Sequence, residues 1–386
     1  MKIRLGYLLT VSSLLLLSAC GDDAAEPIPV APILKEIVMP SIDNVMPGKS
    51  VVISGKGFDK NDIIRCISLS GESDFVAEVV GADNYGITII IPSTAAGSYE
   101  VQVERSNLTT TLAAQLKVPY LVVIENLDFP TGIYAHGQTV EIGGSGFENG
   151  DIVELSSDGY PSDFKFTQSL TLTKKGASFI VPETAYGVNN VVIKRDNKQN
   201  TLGSVSVSVN VGDEIGGGIV YYVSDNGIHG LIGMRENVGT ATQQWGPGVA
   251  LSLSANTAAS IYSGKANTQS CVNKMQDFRK IYSDWNSKKS AAELCSEATL
   301  VENGVTYDDW FLPSQEELIE LFKVKSIFAT KGYAVSANNY WTSTEADGND
   351  AGWAAYYVNF YEETTIVSAI ADKSVWMIGV RPIRQF

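Results

Sequence analysis

Two stretches of the chain repeat each other, and this constrains the fold more than any other feature. Residues 47–64 match 136–153, residues 91–92 match 181–182, and residues 97–105 match 187–195, with one inserted residue between the copies. Internal self-similarity indicates that the two copies form equivalent structural units. Each copy alternates apolar and polar residues between Gly, Asn and Asp turns, a pattern typical of antiparallel β-sandwiches. We therefore predict two all-β sandwiches over residues 37–118 and 119–211.

Each copy contains the element Gly-x-Gly-Phe, which ends at Phe58 and Phe147. This element resembles immunoglobulin-like IPT/TIG domains, and the resemblance implies that each phenylalanine fills the core. Asp62 and Asp151 lie shortly after this element and could be either metal ligands or turn-capping residues. The turn-capping role is favoured because Asp62 follows Asn and Asp151 follows Gly, which are turn residues. Cys66 aligns with Leu155, which predicts a buried thiol.

The N-terminal residues have a pattern typical of an export signal. Lys2 and Arg4 precede an apolar stretch that is too short for a membrane-spanning helix. The sequence Leu-Ser-Ala-Cys, ending at Cys20, resembles the lipobox of bacterial lipoproteins. That resemblance implies a signal peptide over 1–19 and lipidation at Cys20; an ordinary secretory signal is the alternative.

Residues 20–36 are acidic and proline-rich, which predicts an extended tether. Their start, Gly-Asp-Asp-Ala-Ala-Glu, resembles surface-export signals of some diderm bacteria, although a simply solvated tether is the alternative. We expect an outer-membrane, lipid-anchored and surface-exposed protein. We expect the lipid to attach the protein to the membrane. The chain has 43 acidic and 28 basic residues, and this negative balance argues against nucleic acid and anionic membrane surfaces as binding partners.

A third module is predicted over residues 212–386, and we expect it to fold by itself. Ser314 and Glu317 form a capping-box pattern ahead of an apolar helix face, directly after Trp-Phe-Leu-Pro. Together with residues 340–345 and 380–384, this segment resembles the C-terminal domains of collagen-like surface adhesins and, distantly, formylglycine-generating enzymes. The resemblance implies an α+β, C-type-lectin-like domain.

All six tryptophans lie in this third module. Core roles are favoured for Trp310, Trp341 and Trp376, whereas Trp245 and Trp353, beside glycines, are equally compatible with exposure. Flat aromatic faces with a polar edge suit sugar rings or peptides. The ligand-binding candidates are therefore Trp353, Trp245, Glu345, Asp347, Asn349 and Asp350. If Trp353 is a core residue, the alternative face is Trp245 with residues 236–248.

The loop over residues 345–350 is rich in side-chain oxygen atoms and is a candidate metal site. Asp347, Asn349 and Asp350 could supply Ca²⁺ ligands, but a solvated strand connection has the same composition. We expect no resident metal or cofactor, with Ca²⁺ the one weak candidate. Cys271 and Cys295 form either a disulfide or two buried thiols, since disulfides are allowed in exported proteins.

Catalytic patterns are sparse. The only histidines, His136 and His229, lie in turn-like segments without a nucleophile elbow, and no cysteine follows Cys295 to provide the pair that formylglycine-generating enzymes use. We therefore predict a non-enzymatic adhesin that binds a glycan or an extracellular glycoprotein through its C-terminal domain. The alternatives are a structural subunit of a surface or fimbrial assembly, and an enzyme acting on glycans or cell wall.

Overall fold

The computed structural model describes residues 31–161, 163–239, 243–247, 257–333, 339–350, 352–361, 366–374 and 378–386. The chain forms two compact units, one up to Pro119 and one from Tyr120 to Phe386. The predicted signal peptide, Cys20, most of the tether and Trp376 lie outside the described residues. In the described part of the chain, no helix is both long and apolar enough to cross a bilayer.

From residue 31 onward, where its structure is described, the first unit contains eight strands that pair in antiparallel fashion. They are β1 (Lys35–Val38), β2 (Ser50–Lys56), β3 (Ile63–Ser68), β4 (Phe75–Asp83), β5 (Gly86–Ile90), β6 (Gly97–Arg105), β7 (Leu108–Thr111) and β8 (Leu116–Val118). Their order is β1-β2-β5-β4-β3-β6-β7, with β8 also on β6. β4 pairs with β3 at its start and with β5 farther along, which joins the two halves of a sandwich. β1 begins inside the segment predicted as tether.

Alternation along the strands builds this first core. Every second residue of β2 is buried, including Val51 and Ile53, and these pack with Val101 and Val103 of β6. Cys66 is fully buried in the same cluster, which confirms its predicted core position. Because successive strand side chains point to opposite faces, one buried face per strand is enough to enclose the core.

An ion pair recurs at the same place in both repeats. Asp62 is 3 % exposed, and its carboxylate accepts hydrogen bonds from the backbone N–H of Asp59 at 2.8 Å and from Arg105 Nε at 2.7 Å. Asp151 accepts from Arg195 Nε at 2.7 Å in the second repeat. The turn-capping role predicted for these aspartates is confirmed. The arginine partners have no local signature in the sequence, because each pairing spans more than forty residues.

The second unit begins with a second sandwich. Its strands are β9 (Glu125–Asp128), β10 (Ile133–Tyr134), β11 (Thr139–Ser145), β12 (Ile152–Ser156), β13 (Phe166–Ser169), β14 (Thr171–Leu172), β15 (Gly176–Ile180), β16 (Gly187–Arg195) and β17 (Lys198–Val207). One sheet has the order β10-β17-β16-β12-β13 and the other β14-β15-β11-β9. Val140 and Phe179 of one sheet and Leu155 and Val191 of the other share one buried cluster, so the two sheets enclose a common core.

The C-terminal module, residues 212–386, mixes helices and antiparallel sheets. Its elements are β18 (Glu214–Ile215), β19 (Gly218–Ser224), β20 (His229–Met234), α1 (Gly264–Arg279), α2 (Ala291–Ser296), β21 (Leu300–Glu302), β22 (Val305–Tyr307), α3 (Gln315–Lys323), α4 (Lys325–Thr330), β23 (Asn339–Glu345), β24 (Ala354–Asn359), β25 (Val367–Asp372) and β26 (Ile383–Gln385). The sheets are β18-β19-β20-β26, the hairpin β21-β22, and β23-β24-β25. The predicted mixture of helix and sheet is present; the C-type-lectin-like assignment stays a prediction.

The capping box predicted for α3 is confirmed. Ser314 Oγ accepts from the backbone N–H of Glu317, and the Glu317 carboxylate accepts from the backbone N–H of Ser314 at 2.7 Å. That carboxylate also accepts from the N–H of Gly264 at the start of α1, at 3.3 Å. Burial raises the pKa of Glu317 to about 7, although these N–H donors oppose the shift. One carboxylate therefore ties the starts of two helices together.

A shared core crosses the predicted boundary at residue 212. Tyr160 and Tyr186 of the second sandwich lie in one buried cluster with Val220, Trp310 and Phe386 of the C-terminal module. The rings of Tyr186 and Phe386 make an edge-to-face contact with centroids 5.3 Å apart. Residues 212–386 alone would expose this cluster to water, so we expect the second sandwich to contribute to the stability of the C-terminal module.

Candidate functional site

One of the predicted ligand-binding residues, Glu345, belongs to a buried ion pair, and a second, Trp245, packs beside it. Glu345 ends β23, and its carboxylate accepts a hydrogen bond from Lys373, which is fully buried. The Lys373 ammonium lies 4.5 Å from the centroid of the Trp245 ring. Burial raises the pKa of Glu345 and lowers that of Lys373, while the ion pair opposes both shifts. The Glu345 carboxylate is therefore occupied inside the protein.

Of the two environments that the sequence left open for Trp245, the structure has the buried one, so Trp245 does not offer an exposed aromatic face to a ligand. Trp245 is 3 % exposed, and its Nε1 donates to the carbonyl oxygen of Thr342 at 2.7 Å. A buried indole needs a partner for its N–H, and β23 supplies one. Trp310 and Trp341 are also buried, as predicted.

The remaining predicted residues lie at the surface. Asp347, Asn349 and Asp350 are exposed around the 3₁₀ turn Gly348–Asp350, and the backbone N–H of Trp353 donates to the Asp350 carbonyl at 3.1 Å. Trp353 is 48 % exposed. Across the described ranges, no group of three or more His, Cys, Asp and Glu residues is arranged to hold a metal ion. The predicted Ca²⁺ ligands include the Asn349 amide, which is not one of these four residue types. The calcium site therefore stays a prediction.

The cysteines of the C-terminal module are present as thiols. Cys271 and Cys295 are both buried and unpaired, so of the two alternatives the structure contains buried thiols. Burial raises the pKa of Cys271 to about 12 and that of Cys295 well above its ordinary value. A thiol that stays protonated is a poor nucleophile and a poor metal ligand.

A concavity of about 650 Å³ opens where β20 ends, and we call it the Arg235 cleft. It is bounded by the segment that follows β20, the end of α2 with the residues after it, and Tyr333 beyond α4. Its polar and aromatic lining includes Arg235, Glu236, Asn237, Lys289, Glu297 and Tyr333. Pockets of this size accommodate small organic ligands, with a few polar groups that fix their orientation.

Arg235 is held in place on several sides. Its Nη1 donates to the Glu302 carboxylate, and its Nη2 lies 3.7 Å from a Glu214 oxygen. The guanidinium also lies 5.4 Å from the centroid of the Tyr333 ring. Burial disfavours the charged form, but the Glu302 hydrogen bond and charge raise the pKa of Arg235. The result is a fixed cation beside a half-buried aromatic ring.

The lining groups can bind a polar molecule. Glu236 and Glu297 offer carboxylate acceptors, and Lys289, which is ion-paired with Glu297, offers a donor. Neither histidine lines this cleft: His136 Nε2 is 2.7 Å from the Ala185 carbonyl oxygen in the second sandwich. His229 begins β20 and lines a different concavity.

Only part of this cleft is indicated by the sequence. Segment 236–248 is the alternative binding face predicted from the sequence, and its first residues line the concavity. The available signal was the polar run Arg235–Glu236–Asn237 directly after a buried strand. Tyr333 and Glu297 gave no signal, because only the tertiary structure brings the ends of α2 and α4 beside β20.

No protein-family description and no curated protein matches this sequence. Among solved structures, the chain is similar to a Bacteroides ovatus mixed-linkage glucan utilization locus protein, SGBP-B, in complex with a mixed-linkage heptasaccharide. The identity is 17 %, the match covers 52 % of this chain and 50 % of that one, and the TM-score is 0.20. A Bacteroides thetaiotaomicron protein of unknown function matches at 14 % identity, with 47 % and 39 % coverage and a TM-score of 0.19.

A chimeric titin Z1Z2 tandem also matches, at 17 % identity, with 43 % of this chain and 94 % of that chain covered and a TM-score of 0.18. The chain thus spans half or less of the two Bacteroides proteins. TM-scores this far below 0.5 describe local likeness only. They carry no argument about the fold or the function of this chain, both of which depend on its own geometry.

Proposed function

We propose that the protein is a lipid-anchored surface protein that binds a sugar unit of a glycan or glycoprotein in the Arg235 cleft. The observation that carries this proposal is the Tyr333 ring, which lines a polar concavity and is fixed by a neighbouring guanidinium. A sugar ring has an apolar C–H face and a rim of hydroxyl groups. An aromatic ring beside charged hydrogen-bonding groups complements both features.

A glycan array probed with the full chain tests this proposal. We expect Tyr333→Ala to weaken binding of the retained sugars by about thirtyfold, since losing an aromatic anchor costs about 2 kcal/mol. Tyr85→Ala is the matched control, because Tyr85 is 83 % exposed in the first unit, and it should change nothing. Tyr333 also packs on the core; the exposed Glu236 therefore provides a second variant, Glu236→Gln, which should weaken binding about tenfold without lowering stability.

Other outcomes would favour the alternative functions. If the full chain retains no sugar, glycan binding in this cleft is wrong. Stable high-order complexes from native membranes would then favour a structural subunit of a surface assembly. Turnover of a glycan that Glu236→Gln or Glu297→Gln abolishes would favour an enzyme. Saturable binding at the Trp353 surface, with Asp347, Asn349 and Asp350, would place the ligand on the face predicted from sequence.

The anchoring part of the proposal depends on Cys20. We expect Cys20→Ala to yield a protein that takes up no labelled palmitate and is released from membranes, because the acyl chains supply the membrane affinity at about 0.8 kcal/mol per buried CH₂. Cys66→Ala is the control, since Cys66 is a buried core thiol. Membrane partitioning of the Cys20→Ala protein with continued palmitate labelling would contradict a lipid anchor at this position.

A further inference from the structure

A second concavity, of about 460 Å³, adjoins the Arg235 cleft where the second sandwich meets the C-terminal module. Phe164, Phe166 and Tyr186 of the sandwich line one side, and Tyr307 and Glu302 of the β21–β22 hairpin line another. We call it the aromatic cleft. Arg235 lines both concavities. The same hairpin contributes Leu300 to the Arg235 cleft and Glu302 to the aromatic cleft, so the two share a wall.

The rings of the aromatic cleft are fixed before any ligand arrives. Tyr160, behind them, contacts Phe164 and Phe166 edge-to-face with centroids 5.6 and 5.4 Å apart, and Phe164 and Phe166 contact each other at 4.9 Å. Phe164 and Phe166 are nevertheless only partly buried and line the cleft. Rings that are held rigidly yet remain open to solvent lose little freedom on binding, which favours affinity for a flat, partly apolar partner.

The charges around the two clefts nearly balance, with carboxylates in slight excess because Arg235 is shared by both. Beside the aromatic cleft, Glu302 and Glu214 face Arg235, and Lys331 Nζ donates to Glu214 at 2.8 Å. The Arg235 cleft likewise has two cations and two carboxylates: Arg235 and Lys289 against Glu236 and Glu297. A site for an anionic or cationic ligand would carry an excess of the opposite charge. With Arg235 counted once, three cations face four carboxylates, so the clefts have no excess of positive charge for an acidic chain. Nearly balanced charge with partly exposed rings instead suits a neutral, hydroxyl-rich chain.

We propose that the Arg235 cleft and the aromatic cleft are adjoining subsites for one neutral oligosaccharide, with the Arg235 guanidinium between them. This proposal rests on the glycan-binding function proposed above and extends it to the substrate class. A terminal sugar lies against Tyr333, and the following part of the chain lies against Phe164. The second sandwich is then part of the binding surface.

Calorimetric titration of the full chain with neutral oligosaccharides, from disaccharides through octasaccharides of the series that the array retains, tests the two-subsite arrangement. We expect octasaccharides to bind about tenfold or more tightly than disaccharides, because the second subsite is engaged at high effective concentration. Phe164→Ala should abolish this gain and leave disaccharide affinity unchanged. Tyr333→Ala should weaken both, and Leu172→Ala, at an exposed site of the same sandwich, should change neither.

The same array tests whether the clefts prefer neutral chains. Neutral oligosaccharides should outbind uronic-acid-bearing ones of equal length, and Glu302→Gln, which removes one carboxylate beside Arg235, should reduce that preference. Equal affinity for disaccharides and octasaccharides would overturn the proposal while leaving glycan binding intact, as would equal weakening of both by Phe164→Ala. A preference for charged chains would also overturn it. Failure to bind sugars of any length would instead refute the proposed function itself.

Discussion

Replacing Arg384 with methionine should lower the free energy of unfolding of the C-terminal module by about 3–5 kcal/mol, the usual loss when one partner of a buried ion pair is removed. Arg384 is fully buried in β26. Its Nε and Nη2 donate to the two carboxylate oxygens of Asp309 at 2.7 and 2.9 Å. The pair is bidentate, which is the strongest geometry for an arginine and a carboxylate.

Arg384 also donates hydrogen bonds to groups on both sides of the predicted boundary at residue 212. It donates to the Gly159 carbonyl at 2.8 Å and the Tyr186 hydroxyl at 2.9 Å in the second sandwich, and to the Gly216 carbonyl at 3.1 Å in the C-terminal module. Methionine has similar length but no donor, so the Gly216 carbonyl and the Asp309 carboxylate would lose this partner, whereas the Gly159 carbonyl would keep the Tyr186 hydroxyl as a donor at 3.0 Å. Leaving buried polar groups unsatisfied is more costly than the value of the bonds themselves.

Tryptophan fluorescence during denaturant unfolding measures this effect selectively, because all six tryptophans lie beyond residue 212. Arg65→Met is the matched control: Arg65 is 44 % exposed in the first unit and pairs with Glu104 at 2.9 Å, so its loss should cost less than about 1 kcal/mol. A loss below about 1 kcal/mol for Arg384→Met would contradict the role of Arg384 as a clamp between sandwich and module.

Trp341→Ala should destabilise the protein by about 3–5 kcal/mol, as large core truncations do. Trp341 is fully buried in β23, and its Nε1 donates to the Gln243 carbonyl oxygen at 2.7 Å. Trp353→Ala should lower the free energy of unfolding far less. Trp353 is 48 % exposed, so folding buries less of its apolar surface. Both changes delete one tryptophan, so each is the other's matched control.

Scanning calorimetry separates the two variants without relying on fluorescence. We expect the melting transition of the second unit to fall markedly for Trp341→Ala and only slightly for Trp353→Ala. Equal shifts would mean that Trp353 also acts as a core residue. The surface with Asp347, Asn349 and Asp350 would then lose its aromatic anchor, and the Arg235 cleft would be the sole remaining binding face among those described.

Short-range patterns predicted much of the fold. The repeat predicted two equivalent sandwiches because each strand needs only a two-residue period to bury one face, as Val51 and Ile53 do. The α3 capping box was readable because Ser314 and Glu317 are three residues apart. A second box, at Ser290 and Glu293, has the same spacing and was missed.

What the sequence determined by itself was therefore local: the repeat, the strand faces, the helix start and the buried position of Cys66. Only the tertiary structure decided which aromatic residues reach solvent. Trp245 and Trp353 both have a neighbouring glycine, yet Trp245 is 3 % exposed and Trp353 is 48 % exposed. It also decided the pairing of Asp62 with Arg105 and the position of Tyr333 beside Arg235. These contacts join residues far apart in the chain, so their energies depend on geometry that no local pattern encodes.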